Sequence, residues 1–213
     1  MLAPGLIHLE TGASVAGGTA VDSYSIGQLL VRVGVSGVEL ELFGNSYLVT
    51  RSETTPALDA EGFADVGVGL KVPLARNVGD RMNLSLQGVL TAPSGSDAFS
   101  NDEWIAALNA LADIGLSDRA GLSVNVGIAE GAAGASETFS VIVTPGLSLA
   151  DGVGAYAGWA GFFAEGADVN FGEGGLTFLV NDDVQLDVNG GWALDADDWF
   201  FGVGAAFRWG ASP

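Results

Sequence analysis

Polar and apolar side chains alternate along most of this chain. Residues 38–42 read Val-Glu-Leu-Glu-Leu, 64–72 read Ala-Asp-Val-Gly-Val-Gly-Leu-Lys-Val, and 82–86 read Met-Asn-Leu-Ser-Leu. The same period continues through Leu122-Ser123-Val124-Asn125-Val126-Gly127-Ile128 and Val184-Gln185-Leu186-Asp187-Val188-Asn189. A period of two sorts side chains onto the two faces of a β-strand. In a soluble sandwich the second face would carry many Lys and Glu. Here it carries Gly, Asn, Gln, Ser and a few charges, which suits a confined polar lumen.

Applied to the whole chain, the alternation predicts twelve strands: 5–17, 22–35, 38–52, 62–74, 81–92, 104–116, 119–130, 138–149, 152–164, 168–180, 183–194 and 199–210. An even count returns both termini to one side. Val35-Ser36-Gly37, the Arg76 to Asp80 turn, Leu116-Ser117-Asp118-Arg119, Leu149-Ala150-Asp151 and Val180-Asn181-Asp182-Asp183 make short connections. Between them fall generally longer loops at 17–22, 52–62, 92–103, 130–138, 164–168 and 194–199. Short turns on one side and longer loops on the other are the pattern of an outer-membrane barrel, with the loops outside. Segment 103–114 carries a competing signal, because Trp104, Leu108 and Leu111 sit at helical spacing and Ala and Leu favour helix. Alternation favours strand there; a helix would leave eleven strands or an internal plug.

Composition narrows the class. Charged residues make up 15% of the chain and Gly contributes 33 of 213 residues, against roughly 25% and about 7% in an average soluble domain. Mean hydropathy is +0.38, yet the longest stretch without a charge, Met82–Ser96, is 15 residues and alternates. A spanning helix needs about 20 largely apolar residues. The remaining way to satisfy every backbone group in lipid is a closed barrel. The expected fold is therefore all-β: one closed, antiparallel, up-and-down transmembrane β-barrel over residues 1–213, in a bacterial outer membrane. Met1-Leu2-Ala3-Pro4 has neither the basic nor the apolar region of a signal peptide, so the barrel reading takes this as the mature segment with a start Met, or as the product of a truncated gene.

Zero Cys excludes disulfides and thiolate chemistry. A net charge of −19, with seven Lys and Arg, cannot build a basic patch for nucleic acid. The expected partners are the lipid bilayer and small-molecule solutes, with no cofactor and no metal.

Two stretches carry a family likeness: Pro4-Gly5-Leu6-Ile7-His8-Leu9-Glu10-Thr11-Gly12, and the C-terminal run from Asn181 through Gln185, Asp187, Asp198 and Phe200 to Trp209. With the hairpin spacing between them, the chain resembles the outer-membrane transporter family labelled for the meta-cleavage pathway of phenol degradation. The resemblance implies an outer-membrane barrel that takes up hydrophobic or aromatic compounds, and it supplies no catalytic residues. Many such barrels finish on an aromatic residue, whereas Phe207 and Trp209 are followed here by Gly210-Ala211-Ser212-Pro213.

With Val, Leu and Phe toward lipid, the opposite faces carry His8, Glu10, Gln28, Arg32, Glu39, Glu41, Asp65, Lys71, Gln87, Asn109, Asp113, Asn125, Glu173, Gln185, Asp187, Asn189 and Arg208. These are the candidate lumen-lining residues. Neighbouring strands make Arg32 a candidate partner for Glu39 or Glu41, and Arg208 for Glu10 at closure. They read either as internal ion pairs that keep the lumen hydrated or as the lining of a permeation path that sets its selectivity. Gly67, Gly69, Gly127, Gly158, Gly202 and Gly204 would keep that lumen open, and its acidic excess would favour neutral or cationic solutes.

A rival from another class is a lipid hydrolase built on His8, the single His, with Glu10 two residues away on the same face. It would need a Ser hydroxyl at the ring. No Gly-x-Ser-x-Gly elbow is present. Asp195-Ala196-Asp197-Asp198 could ligate Ca²⁺, but without a twelve-residue loop of EF-hand type it reads better as a solvated acidic loop. Trp104, Trp159, Phe163, Trp199 and Phe201 at loop ends, with Phe178, Phe207 and Trp209 at turn ends, form the two aromatic girdles of a barrel. In a soluble barrel the same residues would be core.

Overall fold

The alternating segments form strands. In the computed structural model all residues are described except Ala20, Glu53, Ala167 and 211–213, so the tail beyond the last strand lies outside the described residues. Among the described residues the strands are β1 (Leu6–Gly17), β2 (Asp22–Val35), β3 (Val38–Arg51), β4 (Ala60–Gly62), β5 (Val66–Val78), β6 (Met82–Ala92), β7 (Ile105–Gly115), β8 (Ala120–Ala129), β9 (Thr138–Ala150), β10 (Val153–Phe163), β11 (Val169–Asn181), β12 (Val184–Ala193) and β13 (Trp199–Gly210). Wall strands pair antiparallel with their neighbours, and β1 pairs with β13 from Leu6↔Gly210 to Gly17↔Trp199, which closes the sheet. Strand β4 faces β3 at Leu48↔Gly62 and β5 faces it at Gly44↔Val66, one unbroken register. The two are pieces of a single wall strand interrupted at 63–65, and the barrel has twelve strands.

That interruption corrects the strand expected at 62–74. Residues 63–65 leave the ladder because Asp65 turns its carboxylate to the loop after β6. At the other end Arg76–Val78, expected as turn, prolong β5 through register shifts on either side of Ala75. Pro73 has no N–H to donate and loosens the ladder there. The turn closes later, where Asn77, Gly79 and Asp80 take φ of 53°, 59° and 62°. Segment 105–115 is strand, not helix: β7 pairs with β6 from Met82↔Ile114 to Thr91↔Ile105 and with β8 on its other edge. Two ladders outweigh the helix propensity of Ala and Leu, which is a few tenths of a kcal/mol per residue. No described helix is long and apolar enough to cross a membrane.

Burial is inside out. Leu40, Val66, Leu186 and Val203 are 44–47% exposed, while Glu39 is 1% and Glu41 7% exposed. Among the described residues the buried hydrophobic ones are three alanines, Ala160, Ala193 and Ala206. A continuous apolar exterior of this kind is far larger than the patches that soluble monomers show, and lipid is the solvent that suits it. Refolded into detergent, the protein is expected to give a β-rich circular dichroism spectrum and a gel mobility that changes on boiling. A helical, detergent-independent monomer would contradict the architecture.

Candidate functional site

Residues paired across antiparallel strands share a face, so the inward rows can be followed round the wall. One row reads Arg208, His8, Arg32, Glu41, Gly69 across β13, β1, β2, β3 and β5. The next toward the turn end reads Glu39, Lys71, Gln87, Asn109, Gly127 across β3 to β8. Asn125 and Asp113 lie on the same face of β8 and β7, in register with Leu111 and Ser123. Beyond them Glu173 faces Gly158 and Gly191, Asp187 faces Thr177 and Gly204, and Asn189 faces Gly175 and Gly202. Gln185 is paired with Ala206.

Hydrogen bonds tie part of this set together. Gln87 Nε2 donates to Glu41 Oε2 at 2.6 Å, and Asn109 Nδ2 donates to Gln87 Oε1 at 3.0 Å. The backbone N–H of Leu2 donates to Glu39 Oε2 at 2.6 Å. Ser123 Oγ donates to Asp113 at 2.9 Å, and Gln28 Nε2 to Ser14 Oγ at 2.9 Å.

Both expected ion pairs are replaced. Arg32 bonds Glu10, not Glu39 or Glu41. It stands in register with Glu41, but that carboxylate accepts from Gln87, and Arg32 bonds its diagonal neighbour on β1, Glu10, instead. Arg208 reaches Asp183 at 3.4 Å in the turn before β12, and not Glu10, because register sets it opposite His8 and sets Glu10 opposite Ala206.

Asp65 lies outside the strands and is 8% exposed. Its Oδ1 accepts from the Ser94 and Gly95 amides at 2.8 Å and from Ser100 Oγ at 2.9 Å, and its Oδ2 from the Asn101 amide at 2.8 Å and Nδ2 at 3.1 Å. Desolvation by burial opposes the charge, but the bonds from Asn101, Gly95, Ser100 and Ser94 outweigh it and hold the carboxyl below its usual value. Segment 94–101 is thereby pinned against the break in the wall, where Ser96 also exchanges bonds with Phe63.

The assumption that every Phe faces lipid fails at four wall positions, one of them Phe162, which stands in register with Ser140 and through it with Gly127 of the inward row. Phe43, Phe171 and Phe200 share the inward face with Glu41, Glu173 and Gly202, and Phe171 meets Phe200 edge-on at 6.1 Å. The signal was present in the sequence, since Phe43 and Phe171 each stand two residues from an inward carboxylate. Phe99, in the pinned loop, had no such signal. On the outside Trp104, Phe178, Phe201 and Trp209 are exposed, and Trp159 and Phe139 both pack against Phe163.

A cavity of about 890 Å³ runs along β12, β13, β1 and β2. Its lining extends from Asp182, Asp183, His8 and Arg208 at the turn end to Asp65, Phe99, Asn101 and Phe200 at the loop end. A second space of about 1030 Å³ opens at the turn end between β5 and β10, beside Asp80, Arg81, Asp113, Asp118, Arg119 and Tyr156.

His8 stands between Arg208 and Arg32, and its Nδ1 lies 3.3 Å from Glu10 without a hydrogen bond. Among the described residues no Ser hydroxyl bonds it. Among the described residues no three His, Asp or Glu converge as metal ligands; in the acidic loop Asp195 accepts from Asn170 Nδ2 at 2.7 Å.

A closed twelve-stranded barrel, apolar outside and polar within, defines an outer-membrane β-barrel. The same fold is seen in an outer membrane channel from Pseudomonas putida F1 (TM-score 0.80, 13% identity, covering 98% of this chain and 97% of that one). It is also seen in the NanC porin (0.68, 8%, 93% and 98%) and in the KdgM porin in complex with disordered oligogalacturonate (0.66, 9%, 94% and 98%). A search of curated proteins gives no match. The chain belongs to the family described as "Putative MetA-pathway of phenol degradation", whose model matches residues 7–209.

Proposed function

We propose that this barrel is a passive outer-membrane pathway for small solutes, with the loop end outside and a lumen that prefers neutral or cationic species. The observation that carries the reading is the cavity of about 890 Å³ lined from turn-end to loop-end residues. A lumen filled by side chains would leave no such continuous space. Acidic groups outnumber basic ones on the candidate inward positions: Glu10, Glu39, Glu41, Asp65, Asp113, Glu173 and Asp187 against Arg32, Lys71 and Arg208. In a narrow, low-dielectric passage that excess attracts cations and repels anions. Phe43, Phe99 and Phe200 on the lining give a flat apolar solute a surface to slide along, in keeping with the family's association with phenol degradation. Solved structures of an outer membrane channel and of porins share the fold, which is a further support.

Planar-bilayer recording and liposome uptake of small neutral aromatics test this together. Low conductance with cation preference, and uptake that does not saturate at low concentration, are the expected results. Absence of both conductance and uptake would make the barrel a binding or structural element of the envelope, and anion preference would refute the electrostatic argument.

A further inference from the structure

We infer that Asp187 is the residue that sets charge selectivity in the lumen. It acts over a trough whose floor is made of glycine backbone on β13 and β1. The inference rests on the passive-pathway reading above.

Carboxylates on the cavity lining are Glu10, Asp65, Asp182, Asp183 and Asp187. Most are already committed. Glu10 is bonded to Arg32, Asp65 holds segment 94–101, and Asp183 is paired with Arg208. Asp182 sits in the turn at the mouth, where its backbone carbonyl accepts from Arg208. Among the described residues Asp187 has no ion-pair partner; it shares a hydrogen bond with Asn189 two residues along the same face, and the charged group that acts on it is another carboxylate, Glu10. A carboxylate already matched by a guanidinium presents little field to a passing ion, whereas an unmatched one presents more of its own.

The floor beside it is bare. Asp187 pairs with Gly204, and Gly204 pairs with Gly12. Both carboxylate oxygens of Asp187 lie 2.7 Å from where a Cβ on Gly204 would stand, so the group rests flat on the backbone of β13. Asn189 does the same over Gly202, with its Oδ1 at 2.7 Å. On the far side Gln28 reaches within 3.3 Å of the position a Cβ on Gly12 would take, and it is fixed there by Ser14. Strands β12 to β2 cover three interstrand spacings of about 4.8 Å, so the trough is about 14 Å across. It is walled by Asp187 and Asn189 on one side and by Gln28 and Ser14 on the other. A hydrated monovalent cation or a primary ammonium passing along it meets amide and hydroxyl oxygens throughout and one uncompensated negative charge.

Reversal potentials in a salt gradient test this on the refolded protein in planar bilayers, with boiling-sensitive gel mobility used to select folded variants. Asp187→Asn is expected to lower the potassium-to-chloride permeability ratio by about threefold, the scale of one unit charge acting over several ångströms of partly aqueous path. Asp187→Ser serves equally if the asparagine variant does not fold, and Asp187→Glu should keep the preference. Asp151→Asn, which removes the same charge from an exposed turn, should leave the ratio unchanged. A cation-preferring parent whose ratio is not altered by either neutral variant overturns the assignment of Asp187 and leaves the pathway standing. A parent that does not conduct, or that prefers chloride, overturns the reading on which the assignment rests.

Discussion

Replacing Asp65 with alanine is expected to release residues 94–101 from the wall. Four donor residues lose a charged acceptor together, and three of the five bonds come from backbone amides. Hydrogen bonds to a charged group contribute about 1.5–3 kcal/mol each, and buried donors left unmatched cost about as much again unless the loop moves into water. The loop can move, so the effect should appear as local opening, with about 3 kcal/mol lost from the protection of the Gly95 and Asn101 amides. Asparagine should be nearly as damaging, because its amide group would point a donor at another donor. Amide exchange in detergent reads this directly, and unchanged protection at those two positions would refute the pinning role. The pH dependence follows from the lowered carboxyl value. The contribution is fully present above the ordinary Asp pKa of about 3.9 and is lost as pH falls from there through the depressed value. Protection of the loop should therefore be flat across neutral and mildly acidic pH.

The second large effect is expected at Val203, in the middle of β13 and 46% exposed on the outer face. Val203→Arg should destabilise the barrel by about 2–4 kcal/mol, the range for a basic residue at the midplane of a barrel's lipid face. Gln185→Arg, on the inward face of β12, should change stability by less than about 1 kcal/mol, because the added charge can stay hydrated. Denaturant unfolding in lipid vesicles compares the two. Equal costs would mean that Val203 does not face the hydrocarbon.

The strands could be read from the sequence because one physical constraint, an apolar exterior over a polar interior, repeats every two residues along all of them. Where a second constraint competes, the reading fails in a specific way. At 63–65 the pattern continues through Ala64-Asp65-Val66, but Asp65 has a better use for its carboxylate than the wall row, and period alone cannot reveal it. Arg32 has acidic neighbours on both adjacent strands, and the choice of Glu10 depends on the β1–β2 register, which shifts at Gly12/Ala13. Neighbouring strands can be inferred from order, but registers cannot be inferred to the residue. Phe43, Phe162, Phe171 and Phe200 were misplaced by ranking residue type above position, since their spacing from inward residues marks the face correctly. Asp187 was among the candidate residues, but its lack of an ion-pair partner emerges only when Arg32 and Arg208 are seen to bond elsewhere.

The seam between β1 and β13 bears on how the barrel comes together. Every other wall pairing joins strands that follow one another in the chain, so each can form as a local hairpin. The seam instead joins segments roughly 200 residues apart, for which the entropy of closure is about 5 kcal/mol by logarithmic scaling. Until it zips, the growing sheet has two long edges with unpaired N–H and C=O groups, each able to template a foreign strand. Closure is thus the slow, high-contact-order step, and the run from Leu6↔Gly210 to Gly17↔Trp199 rewards it all at once. Anything that holds those edges apart before insertion, whether a chaperone or a partner strand, controls the yield of native protein without touching a single residue of the lumen.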